Sequence, residues 1–135
     1  APFIFILDKF IAGTLKAEGF VNGKKVVSSF IKTPEKASKI ELSYDLSSVP
    51  INPKYPDMVF VYAKIVDANG TIIPTASNEV TFTLAEGNAS LIGENPVKAE
   101  AGIATIVLKT NDLKKNIKLI AQSLNLQSGT ISVSK

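Results

Sequence analysis

Residues 39–135 predict an all-β fold, an immunoglobulin-like antiparallel β-sandwich, and residues 1–33 predict three strands of a second such module that is incomplete. Three observations carry this reading. Apolar and polar residues alternate at period two in run after run. Turn-forming pairs and prolines fall between the runs. No segment of helical length keeps a 3.6-residue period. From Lys39 onward the runs amount to about seven strands in about a hundred residues, the scale of an immunoglobulin-like domain.

Residues 3–7 form the longest apolar run, which is strand-sized. Leu15 and Ala17 then alternate with Lys16 and Glu18. Asn22-Gly23 is a strong hairpin signal, because a type I′ turn needs positive φ at both central residues. It joins residues 15–21 to residues 25–31. Thr33-Pro34-Glu35-Lys36-Ala37-Ser38 marks a module boundary. Ile40 and Leu42 alternate with Lys39, Glu41 and Ser43. Pro50, Pro53 and Pro56 crowd residues 47–57, so that segment is a long loop or an extended edge, not a central strand. Residues 59–84 read as strand, turn, strand: Val59 to Val66, the turn Asp67-Ala-Asn-Gly70, residues 71–74, then Val80-Thr-Phe-Thr-Leu84. Ala104, Ile106 and Leu108 alternate with Thr105 and Lys109. Residues 111–116 form a polar loop with room for one helical turn. Ile117, Leu119 and Ala121 alternate with Lys118 and Gln122, and Ile131 and Val133 with Thr130, Ser132 and Ser134. One face of each strand is therefore apolar. The inward set is Ile40, Leu42, Val61, Ile65, Val80, Phe82, Ile106, Leu108, Leu119, Ile131 and Val133.

Five of the seven Phe lie before the boundary: Phe3, Phe5, Phe10, Phe20 and Phe30. Three strands cannot close a sandwich over that much aromatic area. Exposed together, these rings would make a patch of the kind soluble monomers avoid. Phe3, Phe5 and Phe20 are therefore expected to be covered from outside their own strands. The candidates are the downstream sandwich or a second copy, and the second copy is favoured, giving a homodimer.

Composition excludes several classes of function. The chain has no His, Cys, Trp or Arg, and all 15 basic residues are Lys. Absence of Cys rules out disulfides and thiolate metal sites. The net charge of +3 comes from dispersed Lys. Without Arg there are no bidentate contacts to phosphate or guanine, so no nucleic-acid partner is expected. No apolar run approaches the ~20 residues of a membrane-spanning helix, so no membrane partner is expected. The opening Ala1-Pro2, with no initiator Met and no leader-like pattern, sets the expectation of an excised or processed piece.

Catalytic tools are equally scarce. Without His or Cys there is no Ser-His-Asp or Cys-His arrangement. A glycosidase needs only two carboxylates, but none of the 12 here sits at a strand end in an α/β pattern. No catalytic, cofactor-binding or metal-binding residue is assigned. Asp67-Ala-Asn69-Gly70 only faintly resembles the opening of a calcium loop, and Ala76 stands where the bidentate Glu belongs, so it reads as a turn. Sugar binding would need exposed aromatic platforms, for which Tyr44 and Tyr55 are the candidates. Tyr62 reads as core or interface.

Gly13-Thr-Leu-Lys-Ala-Glu-Gly-Phe-Val-Asn-Gly-Lys-Lys-Val26 resembles the last hairpin of an immunoglobulin-like domain in glycoside hydrolase family 2, in the β-galactosidase-like members common in gut Bacteroidetes. Thr33-Pro34-Glu35-Lys36-Ala37-Ser38-Lys39-Ile40-Glu41-Leu42 is similar to the linker that opens the next module there. Val59-Phe-Val61, Asp67-Ala-Asn-Gly70 and Pro74-Thr-Ala76-Ser-Asn78-Glu-Val80-Thr-Phe82 resemble that module. Nearly the whole chain is covered. The chain departs at Gly93-Glu-Asn-Pro96, which runs directly into Val97 where family members often carry a long insertion. Residues 39–135 also resemble the immunoglobulin-like domains of invasin-type adhesins.

The resemblance implies a non-catalytic C-terminal fragment with a structural, spacer or interface role. Its partners would be the catalytic barrel and other modules of the parent enzyme, in a periplasmic or secreted protein. Nothing here resembles the barrel, so no catalytic residue carries over. The alternatives are an adhesin-type stalk repeat and a carbohydrate-binding module.

Overall fold

The computed structural model describes residues 3–46, 50–52, 55–111 and 116–134. Among these residues there are ten strands and no helix. The chain divides into two compact units, Ala1–Thr33 and Pro34–Lys135.

The first unit is a hairpin of β1 (Thr14–Val21) and β2 (Lys24–Lys32). Asn22 and Gly23 turn it with φ of 50° and 75°, the positive pair the dipeptide predicts. Its open end is closed by two bonds. Thr33 N–H donates to the Gly13 carbonyl at 2.8 Å, and Gly13 N–H donates to Thr33 Oγ1 at 3.1 Å. Among the described residues of this unit the expected third strand does not form. Residues 3–7 are apolar at every position and join no ladder of this unit.

Both faces of the hairpin carry exposed apolar side chains, Leu15, Val27 and Ile31 on one and Phe20 and Phe30 on the other. The register pairs Leu15 with Ile31, Ala17 with Ser29 and Gly19 with Val27 on one face. Lys16, Glu18 and Phe30 share the other face, where Glu18 pairs with Lys16 at 2.8 Å and Lys25 at 3.2 Å.

The second unit holds β3 (Lys39–Asp45), β4 (Asp57–Val66), β5 (Glu79–Glu86), β6 (Ala89–Ile92), β7 (Val97–Lys98), β8 (Ile103–Thr110), β9 (Ile117–Gln122) and β10 (Gly129–Val133). They form two four-stranded antiparallel sheets, ordered β3-β4-β8-β6 and β10-β9-β5-β7. The expected inward set lies between them. Val61, Ile65, Val80, Leu108, Leu119 and Val133 are fully buried, Ile40, Phe82 and Ile106 nearly so, and Leu42 and Ile131 pack against them part-buried.

Residues 59–84 are not one hairpin. β4 lies between β3 and β8, while β5 lies in the opposite sheet between β7 and β9. The turn after β4 returns only as far as Ile72, which bridges Val66. The chain then crosses to the other sheet. Within residues 47–57, β4 begins at Asp57 and Ile51 is buried. Residues 47–49, 53 and 54 lie outside the described residues. So does most of the 111–116 loop, at 112–115, including the suggested helical turn.

The two sheets meet where β10 passes the start of β3. Ile40 N–H donates to the Gln127 carbonyl and Gln127 N–H to the Ser38 carbonyl, each at 2.9 Å, making a parallel bridge. A Cβ at Gly129 would stand 2.6 Å from the Ile40 carbonyl oxygen, so glycine permits this approach.

The far edge of β5 is covered by a side chain. β7 pairs only with Glu79 and Val80. Further along, the Asn95 carboxamide takes a strand's place: Oδ1 accepts Phe82 N–H at 2.9 Å, and Nδ2 donates to the Phe82 carbonyl at 2.8 Å. Asn95→Ala would leave both backbone groups of a buried residue unpaired, an expected loss of about 1–3 kcal/mol. A lower urea midpoint at unchanged m would show it.

Candidate functional site

The polar feature most deeply built into the sandwich is Asp67, the one buried charged residue among the described residues. It follows β4 directly, so that strand fixes its position. Oδ1 accepts the N–H groups of Asn69 and Thr71, each at 2.9 Å. Oδ2 accepts Glu35 N–H at 3.0 Å, from the segment that leads into β3. Asn69 Nδ2 donates to Glu35 Oε1 at 3.3 Å. Ser38 N–H donates to the Val66 carbonyl at 2.9 Å, fixing the same segment a second time. A carboxylate stabilised by three backbone N–H donors can stay charged out of water. Its oxygens serve as backbone acceptors, which fits the turn reading and not the cation-loop reading.

Other carboxylates have local structural roles. Asp57 accepts Asn52 N–H at 3.3 Å and Met58 N–H at 2.8 Å at the start of β4. Buried Thr110 Oγ1 accepts Asp57 N–H at 3.1 Å and donates to the Asp57 carbonyl at 3.3 Å. Lys39 pairs with Glu41 at 2.9 Å and Lys118 with Glu86 at 3.6 Å.

An open groove runs between Lys39–Leu42 of β3 and residues 127–130 beside it. Its charged groups are those of the Lys39–Glu41 pair. The two tyrosines weighed for sugar binding stand apart in character. Tyr44 packs against the core, while Tyr55 is exposed. The outward side of β4 carries Met58, Phe60 and Tyr62 instead, with Met58 and Phe60 exposed. The alternation of β4 could have identified these, since Val59 and Val61 take the core side.

Comparison with known proteins settles the family. The family model of the glycoside hydrolase family 2 C-terminal domain 5 matches residues 40–132. The chain belongs to this family. Two curated relatives are β-galactosidases. That of Thermoanaerobacter pseudethanolicus is 34% identical over 110 residues, covering 82% of this chain and 14% of the relative. The β-galactosidase BoGH2A of Bacteroides ovatus is 31% identical over 139 residues, covering 93% of this chain and 16% of the relative.

Among solved structures, a family 2 glycosyl hydrolase from Bacteroides cellulosilyticus matches with a TM-score of 0.73 at 22% identity, over 93% of this chain and 19% of that one. A β-glycosidase from Bacteroides vulgatus matches with a TM-score of 0.76 at 20% identity, over 93% and 18%. At such identities these two establish the fold. The family 2 C-terminal domain here thus corresponds to less than a fifth of each relative's length.

Proposed function

We propose that this chain is a non-catalytic C-terminal part of a family 2 glycoside hydrolase of β-galactosidase type, acting as structural support, spacer or interface for the rest of the enzyme. The observation that carries this is the match of residues 40–132 to a C-terminal domain of that family. The chemistry of the sandwich agrees. Its buried carboxylate is committed to backbone donors, and Asp57 is occupied in holding a loop. In this reading residues 1–33 are the closing strands of a preceding immunoglobulin-like module, and residues 39–135 form the complete sandwich. The partners are the catalytic barrel and neighbouring modules of a periplasmic or secreted parent.

The purified 135-residue chain should not turn over an activated aryl β-galactoside. Turnover above a blank, abolished by replacing one of its carboxylates, would overturn the proposal. A parent gene encoding tandem β-modules and no barrel would overturn the hydrolase assignment.

Taken by itself, the chain exposes Phe3, Phe5 and Phe20 at 93%, 82% and 59%. A second copy covering them by a two-fold contact gives a homodimer. Light scattering at micromolar concentration should find the dimer, and a monomer would sink that part of the reading.

A further inference from the structure

The chain holds two Asn-Gly pairs, Asn22-Gly23 and Asn69-Gly70, and the fold treats them oppositely. Asparagine before glycine is open to attack on its own side-chain amide, because glycine has no side chain to block the following nitrogen. Both asparagines are exposed, so water reaches both. What differs is how each is held and which charges stand beside it.

Asn22 lies at the tip of the hairpin, and its side chain bonds to no described residue. Among the described residues the hairpin pairs with no further strand, and a two-stranded sheet is marginal in water, so its turn opens readily. Lys24 and Lys25 follow directly, the latter 3.2 Å from Glu18. At Asn69 both reacting groups are tied. Its Nδ2 donates to Glu35 Oε1 at 3.3 Å, and the Gly70 N–H donates to the Asp67 carbonyl at 3.1 Å. The Asp67 carboxylate takes the N–H groups on either side of Gly70, those of Asn69 and Thr71. Asp67 is buried in the sandwich, so this turn opens only with the core around it. The attack passes through an amide anion, which neighbouring lysines favour and neighbouring carboxylates disfavour.

We propose that Asn22-Gly23 is a chemical modification site of this protein, converting with loss of ammonia to aspartyl and isoaspartyl forms, and that the identical pair Asn69-Gly70 is held unreactive by Asp67 and Glu35. The Gly23 amide nitrogen attacks Asn22 Cγ. The new N–Cγ bond closes a succinimide, the Cγ–Nδ2 bond breaks, and ammonia leaves with the proton that Gly23 gave up. Water then opens the ring. Addition at Cγ gives aspartate, and addition at the main-chain carbonyl gives isoaspartate, linked onward through the former side chain. One water is consumed, one ammonia is released, and nothing is oxidised. Either product adds a carboxylate beside Lys24 and Lys25 and lowers the net charge of +3 by one. The isoaspartyl form also inserts a methylene into the main chain of a two-residue turn, whose geometry sets the hairpin register.

The test follows the wild-type chain in mildly alkaline buffer by peptide mass mapping. An isoaspartyl methyltransferase with labelled S-adenosylmethionine counts the isoaspartyl product. Asn22 should convert at least about tenfold faster than Asn69, a barrier difference of about 1.4 kcal/mol. In concentrated urea that gap should largely close, since the fold that separates the two pairs is gone. Glu35→Ala frees the Asn69 amide and keeps the backbone bond to Asp67, so it should speed Asn69 and leave Asn22 unchanged. Asn22 stable in the native chain but reactive in urea would overturn the proposed site. Equal native rates at the two pairs would overturn the protection assigned to the Asp67 turn. The wild-type comparison decides the proposal whether or not the variant folds.

Discussion

Asp67→Ala is expected to cost about 3 kcal/mol of folding stability, since hydrogen bonds to a charged acceptor contribute about 1.5–3 kcal/mol each and do not add fully. Three backbone N–H groups, of Glu35, Asn69 and Thr71, lose their acceptor at once. The site is fully buried, so water does not readily replace the carboxylate. Asp67→Asn separates the two halves of the arrangement. Its amide oxygen can keep the turn bonds of Oδ1, but its NH2 then faces Glu35 N–H, donor against donor. About half the loss is expected from Asn, as one of the charge-assisted contacts is broken. Urea unfolding of the three proteins measures this. An Ala variant within about 0.5 kcal/mol of wild type, the range of ordinary surface changes, would show that the carboxylate does not hold the entry segment.

Phe82→Ala is expected to cost about 3–5 kcal/mol, the usual range for emptying a buried aromatic site. Phe82 is 2% exposed, and its strand is central in its sheet, between β9 and β7. Both neighbours fix the backbone there, through the Ala121 pairing and the Asn95 amide, so collapse into the cavity is resisted. Phe60→Ala is the control. That ring lies on the outer side of β4 and is 54% exposed, so its loss should stay within about 0.5 kcal/mol. Thermal unfolding should fall by roughly 4–8 °C per kcal/mol for Phe82→Ala and hardly move for Phe60→Ala. Similar shifts for both would mean that the alternation does not report which side of the sheet is core.

That alternation made much of the fold legible. Val61, Ile65, Val80 and Leu119 had to share an interior, because each strand offers only one apolar side. Asn22-Gly23 likewise announced its own turn. Sheet membership was not legible in the same way. A tight turn at residues 67–70 looks identical whether the next strand folds back or crosses over, and here it crosses after Ile72. The missing third strand has a related cause. Residues 3–7 have strand-like composition, but a strand forms only against a neighbour.

The polar features were legible only in part. Asp67 could be recognised as a turn residue from its neighbours Asn69 and Gly70. Its third donor, Glu35, stands 32 positions away and is brought there by the pairing of β3 with β4. Asn95 reads as an ordinary loop residue, and only the packing sets its amide against Phe82. A side chain that acts as a strand carries no periodic signature. The outer row of Met58, Phe60 and Tyr62 is legible in the alternation of β4, where Val59 and Val61 take the core side.

The parallel bridge between Ser38–Ile40 and Gln127 has a mechanical consequence. A pull applied at residue 34 and at residue 134 draws β3 and β10 in opposite directions along their shared axis. The Ile40–Gln127 and Gln127–Ser38 bonds then bear the tension together in shear, and neither can be peeled before the other. The sandwich is thus tied at its two ends by its own first and last strands. A tug at residue 34 loads the Glu35–Asp67 and Ser38–Val66 bonds first, and one at residue 134 loads β10 with its buried Val133 before the strain arrives at this latch.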